Sequence, residues 1–208
     1  MSAKGKRTIV TVLERVNLSY LFRVEAVSHR AEALAADTAT DQGREKLWSS
    51  AAVCVVCCAA AVEALASEVT HDRALRARTP AERSRWRTVA RRTRERDWSL
   101  LTKWAKIMAS AGHSSFDRSS EYQELEWLRG LRNDLLHYQA AYAAPAGLTP
   151  VPGLVGLWPP VQAKLTAQTA VRACNVVAGF MELAQSRVPY KLSQDDLRLL
   201  AQLRRSGP

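Results

Sequence analysis

The strongest constraint on the fold is the stretch at residues 51–66. It reads AAVCVVCCAAAVEALA, with a single charged residue, Glu63, and neither Gly nor Pro. A helix that is apolar on nearly every side has to be surrounded by other elements. The stretch falls short of the roughly 20 apolar residues that cross a bilayer, and Glu63 interrupts it. Residues 44–70 are therefore predicted as a helix at the centre of a bundle.

The rest of the chain is read around that rod. Residues 8–38 carry Ile9, Val12, Leu13, Val16, Tyr20, Leu21, Val24, Val27, Ala31 and Leu34 mostly three or four apart, which predicts a long amphipathic N-terminal helix. Asp41-Gln42-Gly43 marks a break before the central helix. Thr79-Pro80-Ala81-Glu82 is a helix start, with Thr79 capping and Pro80 in the first turn. Residues 98–110 present Leu100, Leu101, Trp104, Ile107 and Met108 on one face. A further helix spans about 120–142, with Trp127, Leu128, Leu131, Leu135 and Tyr138 as its buried stripe. A core helix is predicted at 161–186, and a short last helix runs from Ser193, its natural cap, through Arg204.

Five of the eight Pro fall within 145–160, so the Pro/Gly loop at 143–160 is the one extended interruption. No strand alternation and no repeat is present. The reading is an all-α helical bundle. Residues 1–42 form an N-terminal helical extension, 43–186 the bundle with a basic segment at 73–97, and 187–208 a C-terminal extension. At 208 residues the chain suits one domain with appendages.

The helix at 120–142 carries the chemistry. Leu131-Arg132-Asn133-Asp134-Leu135-Leu136-His137-Tyr138 sets Asn133 and His137 four residues apart, about 40° from each other around the helix. Arg132 points to one side of Asn133, and its long side chain reaches back toward that face. A guanidinium grips phosphate, and an imidazole moves protons near neutral pH. Glu126, Gly130, Asn133 and His137 form a strip beside the apolar stripe. Gly130, costly inside a helix by about 1 kcal/mol, is expected to permit close approach of a ligand or another chain.

Arg132-Asn133 followed by His137 resembles the Arg-polar-x-x-x-His signature of the HEPN superfamily (higher eukaryote and prokaryote nucleotide-binding domains). Residues 59–68, AAAVEALASE, resemble that family's Ala-rich first core helix with an acidic residue near its end. The resemblance covers residues 43–186. It implies a bundle of HEPN type and a metal-independent endoribonuclease with no cofactor. The 2′-hydroxyl of RNA would attack, leaving 2′,3′-cyclic phosphate and 5′-hydroxyl ends. In that scheme His137 is the general acid or base, Arg132 steadies the phosphate, and Asn133 orients phosphate or imidazole. Glu63 orients Arg132 from behind. The resemblance further implies a homodimer with two motifs facing one cleft, in stress response, toxin–antitoxin or antiviral defence. An antitoxin or regulatory protein would be a further partner. Other readings of the same residues are an ion pair of Arg132 with Glu63 or Glu68 and a non-catalytic helical dimer. That dimer would bind nucleic acid, nucleotide or protein. A DNA-binding regulator ranks last, because no short helix-turn-helix is visible.

Charge supports a polyanionic partner. The net charge is +10, Arg far outnumbers Lys, and ten Arg lie within 73–96. Among them Arg83, Arg85, Arg87, Arg91, Arg92 and Arg94 are candidate RNA contacts, with Trp86 and Trp98 as stacking partners. A solvated basic face and a docking site for an acidic protein are the competing readings.

Three of the four Cys, Cys54, Cys57 and Cys58, sit inside the apolar run; the fourth is Cys174. Cys54-x-x-Cys57 has no second ligand pair in sequence, so the thiols are read as core packing, and no metal site is assigned. His29, His71 and His113 lack metal-ligand spacing. The basic start, Met1 to Arg7, has no apolar stretch or cleavage site, so no secretory signal is expected. With no disulfide framework, a reducing cytoplasm and no membrane are the expectation.

Overall fold

The computed structural model describes residues 18–93, 98–136 and 159–205, and there the chain is all-α, without strands. The elements are α1 (Leu18–Leu34), α2 (Asp41–Arg76), α3 (Pro80–Arg92), α4 (Leu100–Ser110), a 3-10 turn (Phe116–Arg118), α5 (Ser120–Leu136), α6 (Pro159–Gln162), α7 (Ala167–Arg187) and α8 (Gln194–Leu203). The Pro/Gly loop lies outside the described residues, apart from its last two positions, where α6 begins.

α2 is the central rod. It packs against α1, α3, α4, α5 and α7, most extensively against α1. Cys54, Val55, Cys58, Ala61, Val62, Leu65, Ala66 and Val69 are sealed from solvent. Among the described residues α2 is the one helix long and apolar enough to cross a membrane, and 56% of its most apolar window is covered by the fold itself.

The expected break at Asp41-Gln42-Gly43 is instead the first turn of α2. The Thr40 hydroxyl accepts the Gly43 N–H at 3.0 Å, a cap that satisfies one of the free amides of a helix start. A Cβ at position 43 would collide with the Asp37 carbonyl. The glycine thus admits the incoming chain and does not interrupt the helix. The single helix expected at 161–186 is divided for a similar reason. After α6, Thr166 accepts the Thr169 N–H at 3.1 Å and opens α7. Thr79 and Ser193 cap α3 and α8 as their sequences predict. α4 ends where His113 N–H reaches the Met108 carbonyl at 2.8 Å, with Gly112 at φ +95°. That left-handed closing turn favours glycine.

α1 departs most from expectation. The face it turns inward is Ser19, Arg23, Ala26, Arg30 and Ala33, whereas Leu21 and Val24 of the predicted apolar stripe are exposed. The start of the expected helix, with Ile9, Val12, Leu13 and Val16, lies outside the described residues. The rotation has a physical cause in α8. Asp196 caps that helix through Ser193 and also accepts from Arg23 Nη2 at 2.6 Å. Arg23 further donates to the Ser19 carbonyl at 2.9 Å. A buried cation becomes tolerable once paired and hydrogen-bonded, and the small Ala26 and Ala33 let α1 lie close. Burial pushes the Asp196 carboxyl up, but the Ser193 hydrogen bonds and the Arg23 charge outweigh it and hold it below the usual carboxylate range.

Cys54, Cys58 and Cys174 are buried as expected, while Cys57 is half-buried, and the close set is not Cys54 with Cys57. Cys54 and Cys58, one turn apart on α2, meet Cys174 of α7. Hydrogen bonds from those two thiols, with the Arg30 charge, hold the Cys174 thiol well below its ordinary range.

Candidate functional site

α5 is anchored by Leu125, Leu128 and Leu131, which are buried. It is tied to α7 by Arg172, whose guanidinium makes paired 2.9 Å bonds to Glu124 and stacks over Trp127 with 4.0 Å to the ring centre. The clamp fixes the rotation of α5. On its other side Arg129, Arg132 and Asn133 turn toward α2 and the start of α4.

There they line a cleft of about 340 Å³. Val56, Ala59, Ala60 and Glu63 of α2 form one wall, and Trp98, Ser99 and Leu100 at the start of α4 form another. The Ala pair explains the space: small side chains on α2 leave room that α5 does not fill. Arg132 Nη1 donates to Asn133 Oδ1 at 3.1 Å, which steadies both groups. Arg129 Nε is shielded from solvent and has no hydrogen-bond partner among the described residues. The start of α4 adds the positive end of a helix dipole and its free amides.

Glu63 does not hold Arg132. Its carboxylate accepts a short hydrogen bond from Lys103 Nζ of α4, which corrects the orienting role expected for it. Glu68 is equally removed from Arg132, since it accepts from Ser19 N–H at 3.1 Å and from the Ser19 hydroxyl at 2.6 Å. Neither carboxylate suggested as an ion-pair partner of Arg132 therefore takes that role. Among the described residues Arg132 has no carboxylate partner, and its half-buried charge borders the cleft. With Glu63 engaged by Lys103, the described lining of the cleft carries excess positive charge, which suits an anion.

His137 and Arg94 lie outside the described residues. The other candidate arginines of α3 are exposed but do not form one surface. Arg83, Arg87 and Arg91 line a groove with Pro80, Ser84 and Thr88. Arg85 lies with Arg73 and Arg187 in a separate hollow. Arg92 stacks over Trp98 with 5.9 Å to the ring centre, so this arginine of the basic helix touches the lining of the cleft.

Gly130 does not share a strip with Asn133. It lines a different groove, with Trp127, Asp134, Lys164 and Arg172. Apart from its chain neighbours and the backbone of its own helix, no atom of the described residues comes within 4 Å of the place a Cβ would take there, so no close approach among the described residues calls for the glycine. Sequence reasoning missed Arg129, Trp98 and Ser99 as parts of the cleft. Arg129 was readable, being three and four residues from the motif pair and so on its face. Trp98 and Ser99 arrive by tertiary packing, with no local signal.

No protein-family model matches this chain, and neither a curated protein nor a solved structure shows significant similarity to it.

Proposed function

We propose that this protein is an endoribonuclease that seats an RNA phosphate between Arg129, Arg132 and the start of α4. The observation that carries the reading is the Arg132 guanidinium, hydrogen-bonded to Asn133 and without a carboxylate partner among the described residues, on the border of the cleft. Charge-assisted contacts to phosphate oxygens are the strong ones, and a guanidinium makes them in pairs. Arg92 and Trp98 offer the adjoining nucleotide a cation and a flat ring.

In the proposed reaction the substrate's 2′-hydroxyl attacks phosphorus, and the 5′-oxygen of the next nucleotide leaves. Arg132 stabilises the extra negative charge of the pentacoordinate state. His137, four residues beyond Asn133 in the sequence, moves the proton, following the HEPN resemblance. A second copy of the chain supplies the complementary acid or base, which makes a two-fold dimer part of the proposal. A setting in toxin–antitoxin or antiviral defence, with a regulatory partner, rests on the same resemblance.

The test is end-group analysis of RNA incubated with purified protein in the presence of chelator. Wild type should leave 2′,3′-cyclic phosphate and 5′-hydroxyl ends, and His137→Ala should leave RNA intact while keeping its helix content. Equal scission by wild type, His137→Ala and Arg132→Ala would discard the site. A second reading, a non-catalytic RNA-binding module, is favoured by one observation. Glu63, the carboxylate lining the cleft, is already engaged by Lys103. RNA retained without cyclic-phosphate ends would establish that reading.

A further inference from the structure

The core holds a second cluster whose chemistry the phosphate cleft does not use. Cys54 and Cys58 sit four apart on α2 and so share a face. Cys174 comes from α7, opposite them. All three are fully buried. Their sulfurs stand 3.8 Å apart for Cys54 and Cys174, and 4.0 Å apart for Cys58 and Cys174. All three lie within 4.8 Å of one another. Three sulfurs bound to one ion at about 2.3 Å would stand roughly 3.8–4.0 Å apart. The thiols are thus spaced to take an ion without moving their helices.

A second observation concerns charge. Arg30 of α1 is 3% exposed, and no carboxylate pairs with it among the described residues. Its Nη1 donates to the Leu203 carbonyl at 3.0 Å, while its Nε is buried without a partner. Its charge acts on Cys174. A buried cation lacking a counterion is costly. A divalent ion held by three thiolates carries one net negative charge, which one guanidinium cancels.

We propose that Cys54, Cys58 and Cys174 form a structural trithiolate site for a thiophilic divalent ion of the zinc group, with Arg30 as its buried counterion. Three S–metal bonds replace the S–H bonds, each thiol still protonated releases its proton to water, and no electrons move. The ion would link α2 to α7 and bring α1 in through Arg30. Soft thiolate ligands select this class of metal.

The probe is cadmium, added to reduced full-length protein under anaerobic conditions, both after folding and during refolding. One equivalent per chain should give a thiolate-to-cadmium charge-transfer absorption and a cadmium NMR signal of sulfur-rich coordination. Cys174→Ala should abolish both, Arg30→Met should weaken binding at least tenfold, and Cys57→Ala, which alters the neighbouring half-buried thiol, should change neither. If Cys174→Ala does not fold, Cys58→Ala serves in its place. Absence of the absorption in folded wild type overturns the proposal, as does its persistence in the folded triad variant or its loss in Cys57→Ala. Formation of a disulfide by wild type that binds no cadmium overturns it too.

Discussion

Arg23, in the seam where α1 meets α7 and α8, and Arg132, in the cleft beside α5, are treated in opposite ways. In the seam, Arg23 is 1% exposed and is answered by Asp196, by Ser19 and by the Met181 sulfur. In the cleft, Arg132 is half-buried and answered by the neutral Asn133 amide. A guanidinium with an anion already built beside it is a finished structural element. One that meets an amide and, among the described residues, no carboxylate still has its charge to offer to a ligand. Burial and polarity alone do not separate these cases; the presence of a carboxylate does.

The largest expected effect lies in the seam. Asp196→Ala leaves the Arg23 charge buried and unpaired and should cost about 3–5 kcal/mol, read as a fall in the urea midpoint. The double variant Arg23→Met with Asp196→Leu should recover most of that loss. A cost below about 1 kcal/mol for Asp196→Ala would erase the contrast drawn above. The pairing also has a pH signature. The folded Asp196 titrates below its unfolded value of about 3.9, because the Ser193 hydrogen bonds and Arg23 outweigh its burial. Its stabilisation is therefore fully present above pH 4 or so and drains away as pH falls through the folded value. Asp196→Asn should flatten the stability profile in that acid window.

The cleft should respond the other way round. Arg132→Ala should weaken RNA binding by about 10- to 100-fold, the worth of a charge-assisted bond, while its unfolding free energy in urea titration stays within about 0.5 kcal/mol of wild type. Filter binding and chemical denaturation on the same preparation separate the two quantities. A large stability loss with unchanged RNA affinity would move Arg132 into the structural class with Arg23.

The smallest effect belongs to α3. Arg87→Ala removes one exposed cation from a groove remote from Asn133. It should lower the slope of log affinity against log salt by about one and weaken all RNA sequences alike. An unchanged slope would identify this face as solvated surface or a protein-docking site.

What the sequence disclosed follows the range of the interactions involved. Caps are local, so Thr79 and Ser193 announced the starts of α3 and α8. The uniform apolarity of α2 announced its central place. Arg132 and Asn133 meet because the long arginine side chain curls back to its neighbour, as the sequence predicts. The inward face of α1 was misread because its signal is the carboxylate of Asp196, 173 residues away from Arg23 in the chain. Apolar periodicity gives no hint of an ion pair formed at that distance. Glu63 was misassigned for a similar reason, since Lys103 reaches it from α4, 40 residues on. The thiol cluster was hidden likewise, with Cys174 more than 100 residues from its two companions.

The same long reach bears on how the molecule matures. α1 leaves the ribosome before every other described helix, yet two of its inward side chains dock on α8, Arg23 through Asp196 and Arg30 through the Leu203 carbonyl. Until α8 has been synthesised, both guanidinium groups are better off in water than in the nascent interior. Final seating of α1 against α2 is thereby deferred until α8 has been made, and a product truncated before Asp196 leaves Arg23 and Arg30 without these partners.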